Sequence, residues 1–171
     1  YNVAHTVNYV LRQVALGLEE HFSDQRRAIV VSDGGSTDGT LEVIRAYRLP
    51  CEVEVRLERY RGISGKGSAI LYGFRRALEM GAETILMVDS DLRSITPDWI
   101  GALGRAGVDY DLVAPLYARH KYDGTITNQL AYPLTLAIYR CDIRQPIGGD
   151  FGLSRTLVEA VSYTHLRAHE T

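Results

Sequence analysis

The fold class is decided by the stretch Ala28-Ile29-Val30-Val31-Ser32-Asp33-Gly34-Gly35-Ser36-Thr37-Asp38-Gly39-Thr40. A short apolar run is followed by a polar, glycine-rich turn and then by a helical pattern. Such a run is typical of a strand buried on both faces, as in parallel sheets. Because adjacent glycines let the backbone approach a flat ligand, the turn is also a candidate binding loop. Asp33 would then accept hydrogen bonds from a base or ribose; a plain strand-to-helix turn is the alternative.

The same change from strand to helix recurs along the chain. The predicted strands are Ala28–Val31, Val53–Leu57, Thr84–Val88 and Leu112–Leu116. Two predicted helices are capped by Thr6 and by Thr96, and the others are Thr40–Tyr47, Lys66–Met80 and Ile126–Tyr139, the last of which Pro133 bends or interrupts. This alternation predicts an α/β fold with a mainly parallel sheet and helices on both faces.

Polar loops directly follow the first three predicted strands. They are Asp33–Gly39, Glu58–Lys66 and Asp89–Arg93. Ligands of open α/β sheets bind beyond the carboxyl ends of the strands. We therefore expect the three loops to meet at one edge and to form one site.

Asp89 and Asp91 leave an apolar strand one residue apart. In strand geometry both carboxylates would point the same way, and they would repel unless a cation or protons lay between them. A hard divalent ion, Mg²⁺ or Mn²⁺, shared with a diphosphate would relieve that repulsion. The alternative is an Asp that caps the next turn beside a solvated Asp.

Two further loops carry charged groups beside glycines. Gly62–Gly67 opens a helix, whose free N–H groups and dipole favour an anion, and Lys66 adds a charge suited to phosphate. Its spacing differs from the P-loop, and a surface lysine is the alternative. Arg144–Asp150 looks like a shaped binding loop in which Asp150 would hold an acceptor hydroxyl or assist proton movement. A plain turn with a capping Asp is the alternative there.

Composition narrows the class of function. The chain has 171 residues and 46% hydrophobic residues, which fits one domain with a packed core. Its net charge of -2 gives no electrostatic case for binding nucleic acid or an anionic membrane. No apolar run approaches the length of a bilayer span. Cys51 and Cys141 lack metal-site spacing and favour reduced thiols in a cytoplasmic protein.

The order of these pieces resembles the GT-A glycosyltransferases of the family-2-like group. Tyr1–Val7 is similar to the segment after that fold's first strand, Asp33–Thr40 to its DDGSTDGT turn, and Asp89–Asp91 to its metal-binding D-x-D motif. Gly34 replaces the second Asp of the turn, which removes any role for that carboxylate. Within these enzymes, the chain is most similar to the retaining mannosylglycerate synthase and glucosyl-3-phosphoglycerate synthase group. This similarity rests on Gly65–Gly67, Asp91–Ile100 and Gln145–Asp150, although Asp150 stands where those enzymes often have Glu.

The resemblance implies a role for each candidate residue. The implied nucleotide-sugar-binding residues are Asp33, Gly65, Lys66, Asp89, Ser90 and Gln145. The implied metal ligands for Mg²⁺ or Mn²⁺ are Asp89 and Asp91, and the implied catalytic residues are Asp91 and Asp150. The implied acceptor-binding residues are Arg119, Thr127, Gly148 and Gly149. The alternatives are a surface cation for Arg119 and a helix cap or core hydroxyl for Thr127.

The implied reaction moves a hexose from a nucleotide diphosphate sugar to a small hydroxyl acceptor, of glycerate or phosphoglycerate type, with retention of configuration. One alternative is a sugar nucleotidyltransferase, although the glycine-rich basic loop of those enzymes has no counterpart around Tyr1 and Asn2. Another is a catalytically inactive nucleotide-sugar-binding fragment. We expect no nucleic-acid partner and no membrane-spanning segment. We expect the protein to form a homodimer.

The resemblance also sets expected domain bounds. A partial GT-A domain is expected at residues 1–160, without that fold's first strand and C-terminal part. Val161–Thr171 resembles one reading frame of a sequencing-library adapter, so we expect a non-native tail there.

Overall fold

The computed structural model describes residues 1–60, 65–118, 120 and 123–168, with side chains described as far as residue 163. The strands are β1 (Ala28–Asp33), β2 (Glu54–Arg59), β3 (Thr84–Met87), β4 (Leu112–Val113) and β5 (Phe151–Ser154). The helices are α1 (Val7–Phe22), α2 (Thr40–Ala46), α3 (Lys66–Glu79), α4 (Pro97–Leu103), α5 (Tyr132–Tyr139) and α6 (Arg155–Ala168). The predicted α/β class is confirmed.

The strands pair in both directions. β1 and β2 are parallel, with Asp33 opposite Arg59 at their carboxyl ends. β5 lies between β3 and β4 and runs antiparallel to both, with Met87 of β3 opposite Phe151. The two pairings form separate sheets of two and three strands, and the sequence pattern did not reveal β5, so the strand directions are more mixed than in the mainly parallel sheet that was predicted. Because β5 is reversed, its first residues lie at the same edge as the last residues of β3 and β4.

Helices cover both faces of β3, as predicted. Ile85 packs in a cluster with Phe74 of α3 and Val158 of α6. The next residue, Leu86, packs in a different cluster with Ile100 of α4 and with α1. Successive strand residues point to opposite faces, so the two clusters are the two sides of one layer.

α1 and α4 pack in unusually close contact through Gly17. A Cβ at this position would lie 2.7 Å from both the Ile100 Cβ and the Pro97 carbonyl oxygen. Only a residue without a side chain fits that approach. The contact holds the start of α4, and hence the loop after β3, against α1.

Two helix starts and one proline differ in detail from prediction. Thr6 and Thr96 occupy the N-cap positions, but neither makes a side-chain capping bond. The Thr6 hydroxyl instead lies 3.3 Å from the carbonyl oxygens of Val3 and Ser90. Pro133 lies in the first turn of α5, directly after a π-helical turn. The wider turn accommodates a ring that would clash with the preceding helical carbonyl.

α6 continues across the expected domain boundary at Ala160, and Ser162 within it is buried. A helix forms here whether or not residues 161–171 are native, so the expected domain boundary after Ala160 stays a prediction. None of the helices in the described part of the chain combines the length and apolar character needed to cross a bilayer.

Candidate active site

The three loops predicted to converge do meet at one edge. The Tyr60 amide, just after β2, donates to the Asp33 carbonyl oxygen at the end of β1 at 2.7 Å. Lys66, the first residue of α3, places its Nζ 2.6 Å from Asp89 Oδ1 beyond β3. Residues 61–64, which complete the middle loop, lie outside the described residues. The described part of the edge brings a cation and an acidic motif together.

Asp33 organises its own loop. Its buried carboxylate accepts hydrogen bonds from the amides of Gly35 and Ser36 at 3.0 Å and from the Ser36 hydroxyl at 2.5 Å. These bonds fold the glycine-rich turn back over the strand end. The predicted contact between Asp33 and a nucleotide stays a prediction.

The segment before α1 connects the loop after β1 to the loop after β3. Asn2 accepts from the Thr37 amide at 2.9 Å and its own amide donates to the Ser36 hydroxyl at 2.9 Å. The Ala4 amide donates to Asp38 at 3.0 Å. The Thr40 hydroxyl and then the Ala4 amide lower the pKa of Asp38. Sequence reasoning gave Asn2 no role, although Asn2 lies in a segment quoted for the family resemblance.

The ion pair between Lys66 and Asp89 is accessible. Their side chains are 61% and 34% exposed, so solvent weakens the attraction and a ligand can exchange with either partner. Gly65 directly precedes the helix, and a Cβ built on it would meet none of the described residues within 4 Å. An anion can therefore approach the helix start beside the lysine.

The acidic motif lies in a turn rather than in a strand. β3 ends at Met87, and the Leu92 amide donates to the Asp89 carbonyl oxygen at 3.3 Å. Strand geometry, under which the two carboxylates would point the same way, therefore does not hold at this motif. Asp91 is exposed and the Asp89 side chain is half-buried.

The donor set at the acidic motif fits a hard divalent ion. Two carboxylates suit Mg²⁺ or Mn²⁺, which commonly complete their shells with water and substrate phosphates. Among the described residues, the only three acidic, His or Cys groups close enough to share one ion are Glu20, His21 and Asp98, all of them exposed. An ion at Asp89 and Asp91 would thus need further oxygen ligands, such as water or substrate oxygens, beyond the described His, Cys and acidic side chains.

Asp150 lies between the ends of β3 and β4. It is 2% exposed, and its Oδ1 accepts from the Asp89 amide at 3.0 Å. Its Oδ2 accepts from the Tyr117 hydroxyl. The sequence predicted a site role for Asp150 and Asp89 but none for Tyr117.

The loop before β5 is shaped by close packing. Gln145 is buried, and its Nε2 donates to the Ile147 carbonyl oxygen at 2.6 Å. Gly149 lies against the Asp89 carboxylate, whereas Gly148 has ordinary contacts only. Gln145 therefore holds the loop while Gly149 allows its close approach to the acidic motif.

A cavity of about 850 Å³ opens beside these groups. It lies between α4 and the segment after β4, and apolar side chains such as Trp99 form much of its wall. The charged residues among its described lining are Asp89, Asp98 and Asp150, all acidic. The cavity is large enough for a small organic molecule.

The two remaining predicted acceptor residues are less well defined. Arg119 lies outside the described residues, directly after the cavity-lining Tyr117 and Ala118. Thr127 is buried at the start of the π-helical turn. That turn and α5 pack mainly against each other within the described chain.

The chain is an α/β protein in which a cation at a helix start contacts an acidic turn beside the strand ends. The family described as Glycosyl transferase family 2 matches residues 1–159, and the chain belongs to this family. Among curated proteins, none matches the chain at a significant level.

The fold is also similar to crystal structures of glucosyl-3-phosphoglycerate synthase from Mycobacterium tuberculosis. One, in complex with Mn²⁺, uridine-diphosphate-glucose and phosphoglyceric acid, has a TM-score of 0.63 at 23% identity and covers 91% of this chain and 54% of that one. Another has a TM-score of 0.66 at 22% identity and covers 91% and 55%. The chain spans about half the length of these proteins, and the likeness concerns the fold.

Proposed function

We propose that the chain is the nucleotide-sugar-binding part of a metal-dependent glycosyltransferase. The reaction would move a hexose from a nucleotide diphosphate sugar to a hydroxyl acceptor with retention of configuration. Family membership supports the reaction class. The substrates, the stereochemistry, a homodimeric state and a cytoplasmic location are parts of the proposal.

The contact between Lys66 and Asp89 carries the proposal. It joins the start of α3, where N–H groups favour an anion, to an acidic turn that favours a cation. A metal-bound diphosphate would satisfy both preferences at once. Its negatively charged oxygens would face Lys66 and the helix start, and its metal ion would face Asp89. The two alternatives, a surface lysine and an Asp that caps a turn, do not by themselves explain why Lys66 Nζ lies 2.6 Å from Asp89 Oδ1.

On the donor side, Asp89 and Asp91 would hold Mg²⁺ or Mn²⁺. A bound ion of this kind neutralises charge that develops on a leaving diphosphate. Lys66 and the open backbone at Gly65 would bind the diphosphate oxygens. Asp33, Ser90 and Gln145 complete the proposed nucleotide-sugar site.

On the acceptor side, Asp150 and the glycines Gly148 and Gly149 would lie beside the transferred sugar. Asp150 would hold the acceptor hydroxyl or assist its proton transfer. A glycerate or phosphoglycerate acceptor is anionic, whereas the charged groups in the described cavity lining are carboxylates. Arg119 would supply the required cation, with Thr127 as a hydroxyl partner.

The test is an assay of the chain with Mn²⁺, UDP- or GDP-hexoses and glycerate-type acceptors. Release of the nucleoside diphosphate together with a glycosylated product supports the proposal. Release of inorganic diphosphate from a nucleoside triphosphate and a hexose 1-phosphate would identify a nucleotidyltransferase instead. Tight binding without turnover would identify a binding module, and absence of Mn²⁺-dependent binding would contradict the donor site.

A further inference from the structure

We infer that Tyr117 is a positioning residue, whose hydroxyl fixes the Asp150 carboxylate and, through it, the backbone of Asp89. The structural link stands on its own geometry. Its importance for donor binding rests on the proposed function.

The bonds of Asp150 are the first support. A carboxylate that is only 2% exposed needs hydrogen-bond donors to compensate for its lost hydration. The described donors are the Asp89 amide at 3.0 Å on one oxygen and the Tyr117 hydroxyl on the other. Removal of the hydroxyl would leave one oxygen without this donor and free the carboxylate to rotate.

The topology explains why these three residues meet. β5 runs antiparallel between β3 and β4, so Asp150, just before β5, lies at the edge where both neighbours end. Asp89 follows β3 and Tyr117 follows β4 at that same edge. A chain reversal therefore places one carboxylate between two donors that are distant in sequence.

The Tyr117 ring is itself held in place. It packs against Trp99 of α4 with ring centroids 5.3 Å apart and an interplanar angle of 47°. α4 is in turn packed against α1 through Gly17. Packing therefore fixes the position of the Tyr117 hydroxyl. A side chain must itself be held in place if it is to orient another group, here the Asp150 carboxylate.

The effect reaches the proposed donor site through Asp89. The bond to the Asp89 amide sets the backbone from which its carboxylate reaches Lys66 at 2.6 Å. Each Asp150 oxygen keeps a further lone pair, so this role is compatible with contact to an acceptor hydroxyl.

The structural link is tested without any ligand. In Tyr117→Phe, the amide proton of Asp89 should shift in nuclear magnetic resonance spectra and should exchange with solvent faster. Tyr132→Phe is the matched control, because it removes an exposed Tyr–Asp hydrogen bond of 2.8 Å between α5 and Asp142 in the segment that follows it. An Asp89 amide signal that is the same in wild type and Tyr117→Phe would overturn the inference.

The functional consequence is measured by calorimetric titration of Mn²⁺ and UDP. Tyr117→Phe should weaken UDP binding about 3- to 10-fold, and Tyr132→Phe should not. Added to Asp150→Asn, the Tyr117→Phe change should have little further effect, because both act through one carboxylate. Additive losses would overturn the inference. If wild type does not bind UDP in the presence of Mn²⁺, the proposed function is contradicted. The Asp89 amide signal would still decide whether Tyr117 positions Asp150 and Asp89.

Discussion

Gly149 lies so close to Asp89 that no side chain fits between them. A Cβ built on Gly149 would come within 1.7 Å of Asp89 Oδ2, whereas one on Gly148 would meet nothing nearer than 3.6 Å. The pairing of β3 with β5, continued by two residues, sets Asp89 opposite Gly149. The acidic turn and the loop before β5 are therefore packed as one unit.

Gly149→Ala should displace the Asp89 carboxylate while leaving the fold largely intact. The obstructed group is the end of a half-buried side chain, which can rotate, so unfolding free energy should fall by only about 1 kcal/mol. The contact with Lys66 would be lost, and Mn²⁺-dependent UDP affinity should fall about 10-fold. Gly148→Ala is the control and should change neither quantity appreciably. Equal UDP affinities of the two variants in calorimetry would contradict the packing account.

Lys66→Gln should separate nucleotide binding from metal binding. The lysine would contact the diphosphate, and loss of a charged hydrogen bond should weaken UDP binding about 10-fold. Affinity for Mn²⁺ alone should stay equal or rise, since Asp89 loses a competing cation. Arg75→Gln, an exposed position on the same helix, has the same charge change and should bind UDP like wild type. A parallel loss of Mn²⁺ and UDP affinity would argue against this division of roles.

Gly17→Ala should destabilise the protein by about 1–3 kcal/mol, because its methyl group would collide with the backbone of α4. Gly73→Ala, in the interior of α3, would meet only the Ser32 Cβ at 3.9 Å. That variant should gain about 0.5–1 kcal/mol from helix propensity. Urea denaturation of both variants checks this. A Gly17→Ala protein as stable as wild type would show that the two helices are not in such close contact.

Glu58 should make stability depend on pH. The Tyr72 hydroxyl and then the Arg76 guanidinium lower the pKa of Glu58, which joins β2 to α3. The native state therefore binds this proton less tightly than the unfolded state. The stabilisation is present above the ordinary glutamate pKa of about 4.3 and is lost as pH falls through the lowered value.

Glu58→Gln should accordingly be less stable than wild type at neutral pH, and the difference should narrow at acidic pH as the pH falls through the lowered pKa of Glu58. Urea denaturation at neutral and at acidic pH measures it, with the exposed Glu52→Gln as control. A difference that stays constant over this range would show that the ionised carboxylate of Glu58 does not stabilise the fold.

The contact between Lys66 and Asp89 could be predicted because its signals are local. Apolar runs ending in polar turns placed Asp33, Lys66 and Asp89 at strand exits, and parallel strand ends share an edge. The structure brings Lys66 and Asp89 into contact, as that reasoning requires. The loop Asp89–Arg93 was predicted, but its sequence does not specify the turn in which the Leu92 amide donates to the Asp89 carbonyl oxygen.

The surroundings of Asp150 could not be predicted to the same extent. β5 has only four residues, too few for the alternation of Phe151 and Leu153 with Gly152 and Ser154 to mark a strand, and its position depends on pairing with strands far away in sequence. Without β5, nothing placed Asp150 beside the Asp89 amide. Tyr117 lies 33 residues before Asp150 in a stretch without a motif, so only the folded chain reveals their contact.

Titration of UDP in the presence and absence of Mn²⁺, with wild type and Asp91→Ala, tests the central claim most directly. We predict that Mn²⁺ strengthens UDP binding to wild type at least about 10-fold, and that Asp91→Ala abolishes this gain while UDP alone binds both proteins equally. If Mn²⁺ strengthens UDP binding equally in both proteins, or in neither, the acidic turn does not hold a metal for the diphosphate.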